Sequence, residues 1–147
     1  MKKYELLVDD TITFLGVQLF RIKALISFSG IEKGEVGGYI ASEKNLSQSG
    51  NAWVSGNARV SGNAEVSGNA RVSGDADYIV FKNTWSSGRY FTYTKSNKKW
   101  RVGCFYGNGD ELIKKAYKDN KKSGDFYKAY VEFVEKLEEI ENIHKEQ

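Results

Sequence analysis

Apolar and polar positions in the middle of this chain recur every six residues. Residues 48–77 read as five tandem units: Q-S-G-N-A-W, V-S-G-N-A-R, V-S-G-N-A-E, V-S-G-N-A-R and V-S-G-D-A-D. A six-residue period with one aliphatic and one small inward residue predicts a β-helix. Gly supplies a positive φ at each corner, and Asn or Asp tolerates the next tight position. The Ala register (52, 58, 64, 70, 76) extends back to Leu46 and Ile40. The Val register reaches Val36 through Ser42 and Gln48, so the coil is expected over 36–77. The residues after each Ala, namely Trp53, Arg59, Glu65, Arg71 and Asp77, are predicted to face solvent.

The flanks follow other periods. Thr11–Phe14 and Val17–Ile22, joined at Leu15-Gly16, alternate as a β-hairpin, and Tyr4–Val8 reads as a further strand. Gly30–Gly38 reads as a loop leading into the first coil. So short a repeat array needs capped ends, so residues 1–35 are expected to be an N-terminal β cap. After the repeat, Arg89–Lys95 and Lys99–Phe105 form a second expected hairpin around Asn97-Lys98. That turn pairs Lys95 with Trp100, Tyr93 with Val102 and Phe91 with Cys104. It puts Phe91, Tyr93, Trp100, Val102 and Cys104 on one apolar face, with Tyr90, Thr92, Thr94, Arg101 and Phe105 on the other. Two helices follow. Asp110 or Asn108 caps the first, and Ser123 caps the second. In the second, Phe126, Tyr130, Phe133, Leu137 and Ile140 follow a 4-3-4-3 spacing. That stripe packs either on the chain's own sheet or against a second copy. The segments are thus 1–35, the repeat 36–77, and a hairpin-plus-two-helix domain over 78–147.

Charge changes the picture after the repeat. The net charge is +3, yet residues 78–124 hold eleven basic and three acidic side chains. Residues 125–147 hold three basic and seven acidic. In the basic stretch, Lys82, Arg89, Lys95, Lys98, Lys99 and Arg101 interleave with aromatic residues, a pattern suited to nucleic acid or to an acidic protein. The hairpin register buries most of those aromatics and leaves Tyr90 and Phe105 available. Proline is absent, and Cys104 is the single cysteine, which excludes an internal disulfide framework and suits a reducing compartment. No apolar run approaches the ~18 residues of a membrane span. No signal-type apolar core follows Met1-Lys2-Lys3, and a cytoplasmic location is expected.

Reactive groups are scarce. His144 is the only histidine and lies in the charged C-terminal region, so no Ser-His-Asp arrangement or metal-ligand cluster is expected. The glycines lie at coil corners rather than between a strand and a helix, so they are not phosphate loops. No cofactor, metal or catalytic residue is expected. Candidate partner-binding residues are Trp53, Arg59, Arg71, Arg89, Tyr90, Lys98, Lys99 and Arg101. The candidate oligomer interface is Phe126, Tyr130, Phe133, Leu137 and Ile140.

The hexads resemble the left-handed β-helix of hexapeptide-repeat proteins, many of which are acyltransferases that form trimers. The resemblance implies that residues 18 apart stack, Val54 over Val72, with Arg59 beside Asp77 and Trp53 over Arg71. Acyl transfer in that family uses a histidine base, which this repeat lacks. A second resemblance covers nearly the whole chain. Leu19–Leu25, Gly37-Gly38-Tyr39-Ile40 and Glu43–Ser47 before the G-N-A units, with Ser87–Thr92 and Trp100–Tyr106 after them, resemble small bacteriophage and prophage proteins. Together these imply a mainly β fold: a short left-handed parallel β-helix capped by an N-terminal hairpin, then a hairpin and two helices, assembled as a dimer or trimer. The leading functional expectation is a non-enzymatic phage protein. It would bind and inhibit a host antiviral defence component, such as a CRISPR effector. The alternatives are a nucleic-acid-binding module acting through 78–124, a structural virion part, and an acyltransferase without the usual histidine.

Overall fold

The computed structural model describes residues 2–145. The chain divides into two compact units, Met1–Tyr106 and Gly107–Gln147. In the first, β1 (Tyr4–Phe14) and β2 (Val17–Ala24) form an antiparallel hairpin. Its turn is Leu15-Gly16, with φ of 51° and 80°. Two positive φ values match the right-handed twist of the strands they join. Between Leu7 and Thr11, which pair with Arg21 and Phe20, β1 holds the extra residues Val8, Asp9 and Asp10. This bulge interrupts the ladder midway along β1, which lies at the edge of its sheet.

Beyond the hairpin come β3 (Val36–Ile40) and three two-residue strands, β4 (Trp53–Val54), β5 (Arg59–Val60) and β6 (Arg71–Val72). β3 pairs antiparallel with β2 and parallel with β5, giving a mixed sheet in the order β1-β2-β3-β5. β4 and β6 form a separate parallel pair, with Trp53 opposite Arg71 and Val54 opposite Val72. These sheets correct the expected left-handed parallel β-helix over 36–77. The hexad backbone is divided between two sheets, one of them an extension of an antiparallel hairpin. The fold is mainly β, with antiparallel and mixed sheets and two C-terminal helices. The physical reason lies in the unit itself: Ser-Gly-Asn-Ala takes four residues of each hexad in and around the turn and leaves two able to pair.

The expected phase also changes upstream. Ile40 pairs with Val60 and Leu46 bridges Val66, so both occupy Val-type rather than Ala-type positions. Gln48 and Ser49 are a two-residue insertion in the hexad frame. Gln48 reaches back to β1: its Oε1 accepts from Lys3 N at 2.8 Å and Tyr4 N at 3.1 Å, and its Nε2 donates to Tyr4 O at 3.1 Å. One side-chain amide thus occupies the backbone edge of β1 there. Val36, taken as the start of the Val register, is exposed.

Valines of the hexads and alanines of the first four form one core with Tyr4, Ile22, Ile40 and Leu46, whereas Ala76 of the fifth is exposed. Gly37 and Gly38 permit the closest approach to it. A Cβ on Gly37 would lie 2.5 Å from Val54 O, and one on Gly38 would lie 2.7 Å from Ala58 O. Trp53 joins this core, edge-on to Phe28 at 5.5 Å and to Tyr4 at 6.5 Å. Its predicted solvent exposure is therefore corrected: it is 1% exposed, covered by the loop that carries Phe28.

The last hexads end on side chains. The amides of Arg59, Glu65 and Arg71 occupy the same place in their units. Arg59 N donates to Asp75 Oδ1 at 2.7 Å, Glu65 N to Thr92 Oγ1 at 3.0 Å, and Arg71 N to Ser96 Oγ at 2.8 Å. Thr92 belongs to a second sheet, ordered β10-β9-β8-β7, and Ser96 lies in the turn between two of its strands. Its strands are β7 (Tyr78–Lys82), β8 (Tyr90–Thr94), β9 (Lys99–Val102) and β10 (Phe105–Asn108). The observed β8/β9 register pairs Tyr93 with Trp100 and Thr92 with Arg101, two residues from the expected one. The connection is the four-residue segment 95–98, with Lys98 at φ 54°. A shift of two preserves the faces. Phe91, Tyr93 and Trp100 are buried in an aromatic cluster with Phe81. A turn at Gly103-Cys104 ends β9, so Cys104 lies exposed beyond it.

In the second unit, α1 (Gly109–Asp119) starts on an Asn108 capping box with Glu111. α2 (Lys121–Lys145) begins earlier than expected. Asn120 Oδ1, rather than Ser123, accepts the first-turn hydrogen bond, from Ser123 N at 2.8 Å. Gly124 gives room for the Tyr117 ring, whose hydroxyl donates to Asp125 Oδ1 at 2.7 Å.

Two expectations follow from this packing. Thr92→Val keeps the shape of a buried side chain but leaves Glu65 N–H without its acceptor. Urea unfolding is expected to show a loss of about 1–3 kcal/mol, and an unchanged midpoint would contradict the capping role. The second concerns Lys3, whose ammonium is buried and donates to Ala52 O at 2.7 Å. Burial, aided by the Arg71 charge, lowers its pKa from 10.5 to about 8. The unfolded chain therefore holds more protons between those values, and stability rises with pH from about 8. Burial raises the Tyr4 phenol above its ordinary 10.0, so stability falls again beyond pH 10. Unfolding midpoints should climb between pH 8 and 10, and Lys3→Met should flatten the climb; a flat native profile would contradict it.

Candidate interaction surface

Residues 78–106 contain six cationic side chains and no carboxylate. Strand pairing gathers two of the cations, Lys82 and Arg89, at one end of the second sheet. Lys82 is the cross-strand partner of Tyr90, and its Nζ lies 5.8 Å from the Tyr90 ring centroid. Arg89 is exposed immediately before Tyr90, and Arg101 lies opposite Thr92 on the next strand. Tyr90 is 45% exposed. A half-exposed phenol flanked by two exposed cations can take carboxylates by charge-assisted hydrogen bonds while its ring covers apolar surface.

The other expected binding residues separate from this group. Trp53 lies in the core and is removed from any surface role. Arg59 stacks its guanidinium 3.6 Å from the Phe14 ring centroid and pairs with Asp75 instead of the expected Asp77. The Arg59 hydrogen bond holds the Asp75 carboxyl below its usual range, and the same bond raises the guanidinium. Asp77 turns inward to its own loop, accepting from Ser73 N at 2.8 Å and Gly74 N at 2.9 Å. Arg71 donates to Ser29 O at 2.7 Å. Lys98 is exposed in the β8/β9 turn, and Lys99 Nζ lies 5.4 Å from the Tyr106 ring centroid. Arg101 Nε lies 3.4 Å from Glu65 Oε2.

On α2 the heptad stripe divides by exposure. Phe126, Phe133 and Ile140, seven residues apart, are exposed, and Tyr130 and Leu137 are half-buried. Gly124, Tyr127, Val131 and Val134 are the buried residues of the helix. α2 therefore has two distinct apolar faces.

His144 is exposed near the end of α2. Among the described residues, no three His, Cys, Asp or Glu side chains come together in a way that could hold a metal ion. No helix among them is long and apolar enough to cross a membrane. A cleft of about 490 Å³ beside the first hairpin is lined by Ile12, Tyr39, Arg59 and Asp75 among others, and its cation and carboxylate are already paired.

Lys82 belongs to the group; the sequence places it in the basic stretch, but it was not among the candidate partner-binding residues. The signal was present in Tyr78–Lys82, an unbroken β-type run after the last hexad, but that run was not marked as a strand beside the expected strand Arg89–Lys95. No protein-family model matches this chain, and no curated protein is found to be similar to it.

If Arg59 and Asp75 are committed to each other, Asp75→Asn should lower stability slightly, as expected for an exposed ion pair, read by chemical denaturation. It should leave any binding through the Tyr90 end unchanged; an equal loss of both would contradict the separation of the two sites.

Proposed function

We propose that this chain is a non-enzymatic binding protein. Its Lys82–Arg89–Tyr90 end engages an acidic surface on a protein partner. The observation that supports this reading is the one-sided charge of residues 78–106, six cations without a carboxylate, with Lys82 and Arg89 beside one half-exposed tyrosine. Surfaces of one sign steer encounter with the opposite sign and suppress wrong partners. Burial of the remaining aromatics argues for protein over nucleic acid. Single-strand binding uses several stacked rings along a basic groove. Here Phe91, Tyr93 and Trp100 lie in the core, which leaves Tyr90 as the exposed ring of β8.

In its most concrete form, the partner is a component of host antiviral defence, such as a CRISPR effector, met in the host cytoplasm. Support for this comes from the resemblance of the lead-in segment, hexads and tail to small phage proteins. It also comes from a surface that offers contacts rather than reacting groups.

The test is protection of an infecting phage in cells that carry a defined defence effector, together with binding to the purified effector. The native chain should protect. The double substitution Lys82→Glu and Arg89→Glu should weaken binding at least about tenfold and mainly slow association. Equal protection by the charge-reversed chain, or none by the native one, would overturn the proposal. Preferential binding of single-stranded DNA, with affinity falling steeply with salt, would transfer the patch to the nucleic-acid reading.

A further inference from the structure

A second cleft has a different lining from the Tyr90 group, and its chemistry differs. It measures about 210 Å³ and is lined by Lys44, Ser47, Glu65, Val66, Ser67 and Arg101. Three distant parts of the chain meet there: the 3-10 turn Glu43–Asn45 and the residues after it, a late hexad, and strand β9.

Two of its polar atoms are buried and have no hydrogen-bond partner among the described residues. They are the hydroxyl of Ser67 and Nε of Arg101. Ser67 is only 8% exposed. A buried polar atom without a partner costs about 1–3 kcal/mol, so such atoms are rare unless a bound species satisfies them. The space greatly exceeds the ~10–15 Å³ that admits one water.

The donors show what would fit. Arg101 Nε–H and the Lys44 ammonium can only donate, and the Ser67 hydroxyl is able to donate. Lys44 forms no ion pair among the described residues, while Arg101 has Glu65 at 3.4 Å. Two cations against one carboxylate leave the cleft positive. The Ser47 hydroxyl already meets Ser49 Oγ at 3.0 Å. A compact ligand rich in acceptors and carrying more than one negative charge meets these conditions.

We propose that this cleft binds a phosphate dianion, either inorganic phosphate or the phosphoryl group of a small monoester. Glu65 opposes the ligand, because its carboxylate competes for Arg101. Removing that charge should therefore improve binding, an effect a merely structural Glu65–Arg101 pair would not produce.

The experiment titrates the full chain with inorganic phosphate and, in a second arm, phenyl phosphate. Sodium chloride holds ionic strength constant, and backbone amide shifts of Lys44, Ser67 and Arg101 are followed by NMR. Saturable shifts at these amides are expected in one arm or both; the tighter arm identifies free ion or monoester. Glu65→Gln should tighten binding severalfold, and Lys44→Ala should weaken it about fivefold or more. Ser67→Ala should raise the melting temperature without phosphate, because an unsatisfied hydroxyl is gone, and should reduce the further rise on adding phosphate. Shifts no larger than chloride produces would leave the cleft to water and overturn the proposal. Binding unaffected by both Lys44→Ala and Glu65→Gln would overturn it as well, as would preference for a phosphodiester oligonucleotide over the monoester.

Discussion

Every backbone donor and acceptor on a short repeat must find a partner, and that requirement shapes the first unit. Inside the hexad segment the ladder is internal: Trp53 N bonds Ala70 O at 3.1 Å, and Ser55 N bonds Val72 O at 2.8 Å. At Arg59, Glu65 and Arg71 no further hexad follows in the right place. Asp75, Thr92 and Ser96 present side-chain oxygens there instead. At the other end, Gln48 binds the edge of β1, Tyr4 Oη donates to Leu46 O at 2.6 Å, and Lys3 caps Ala52 O. Orphaned backbone groups would cost more than a segment with two paired residues per unit can supply. The hairpin and the second sheet are therefore integral to the hexads rather than attachments to them.

Periodic parts of the architecture were legible in the sequence, and parts set by contacts between distant segments were not. Val54 opposite Val72 follows from the six-residue period together with the three units per turn that the resemblance to hexapeptide-repeat proteins implies. The shared face of Phe91, Tyr93 and Trp100 follows from strict alternation, and it survived a register error of two because an even shift leaves faces unchanged. The insertion of Gln48 and Ser49 was hidden because Q-S-G-N-A-W satisfies the hexad template. The misfit appears only when Leu46 is seen beside Val66. Burial of Trp53 depends on Phe28, in a segment that carries no period at all. The exchange of Asp75 for Asp77 as the partner of Arg59 turns on which carboxylate its own loop consumes, a matter of local geometry. A continuous β-helix did not form because two residues per hexad pair, while β2 offers a ready edge to β3.

The surface follows the same division. Side chains near the hexad ends are largely committed: Arg59 to Asp75, Arg71 to Ser29 and Lys3 to backbone carbonyls. The Lys82–Arg89–Tyr90 end of the second sheet is free of that duty, and its charge is unopposed by any carboxylate in residues 78–106. The sequence showed the cations and the tyrosine, but their grouping required the pairing of β7 with β8. The cleft at Ser67 was not legible either. Ser67 is one of several identical hexad serines, and only Arg101 and Lys44, distant along the chain, make its surroundings different.

Amide hydrogen exchange under native conditions tests the central claim most directly. The amides of Arg59, Glu65 and Arg71 should be protected to a degree comparable with Trp53 and Ser55, although their acceptors are side chains from elsewhere in the chain. Exchange at the rate of an open, solvated amide at those three positions, with Trp53 and Ser55 still protected, would show that the hexad segment stands without its caps and would contradict the account.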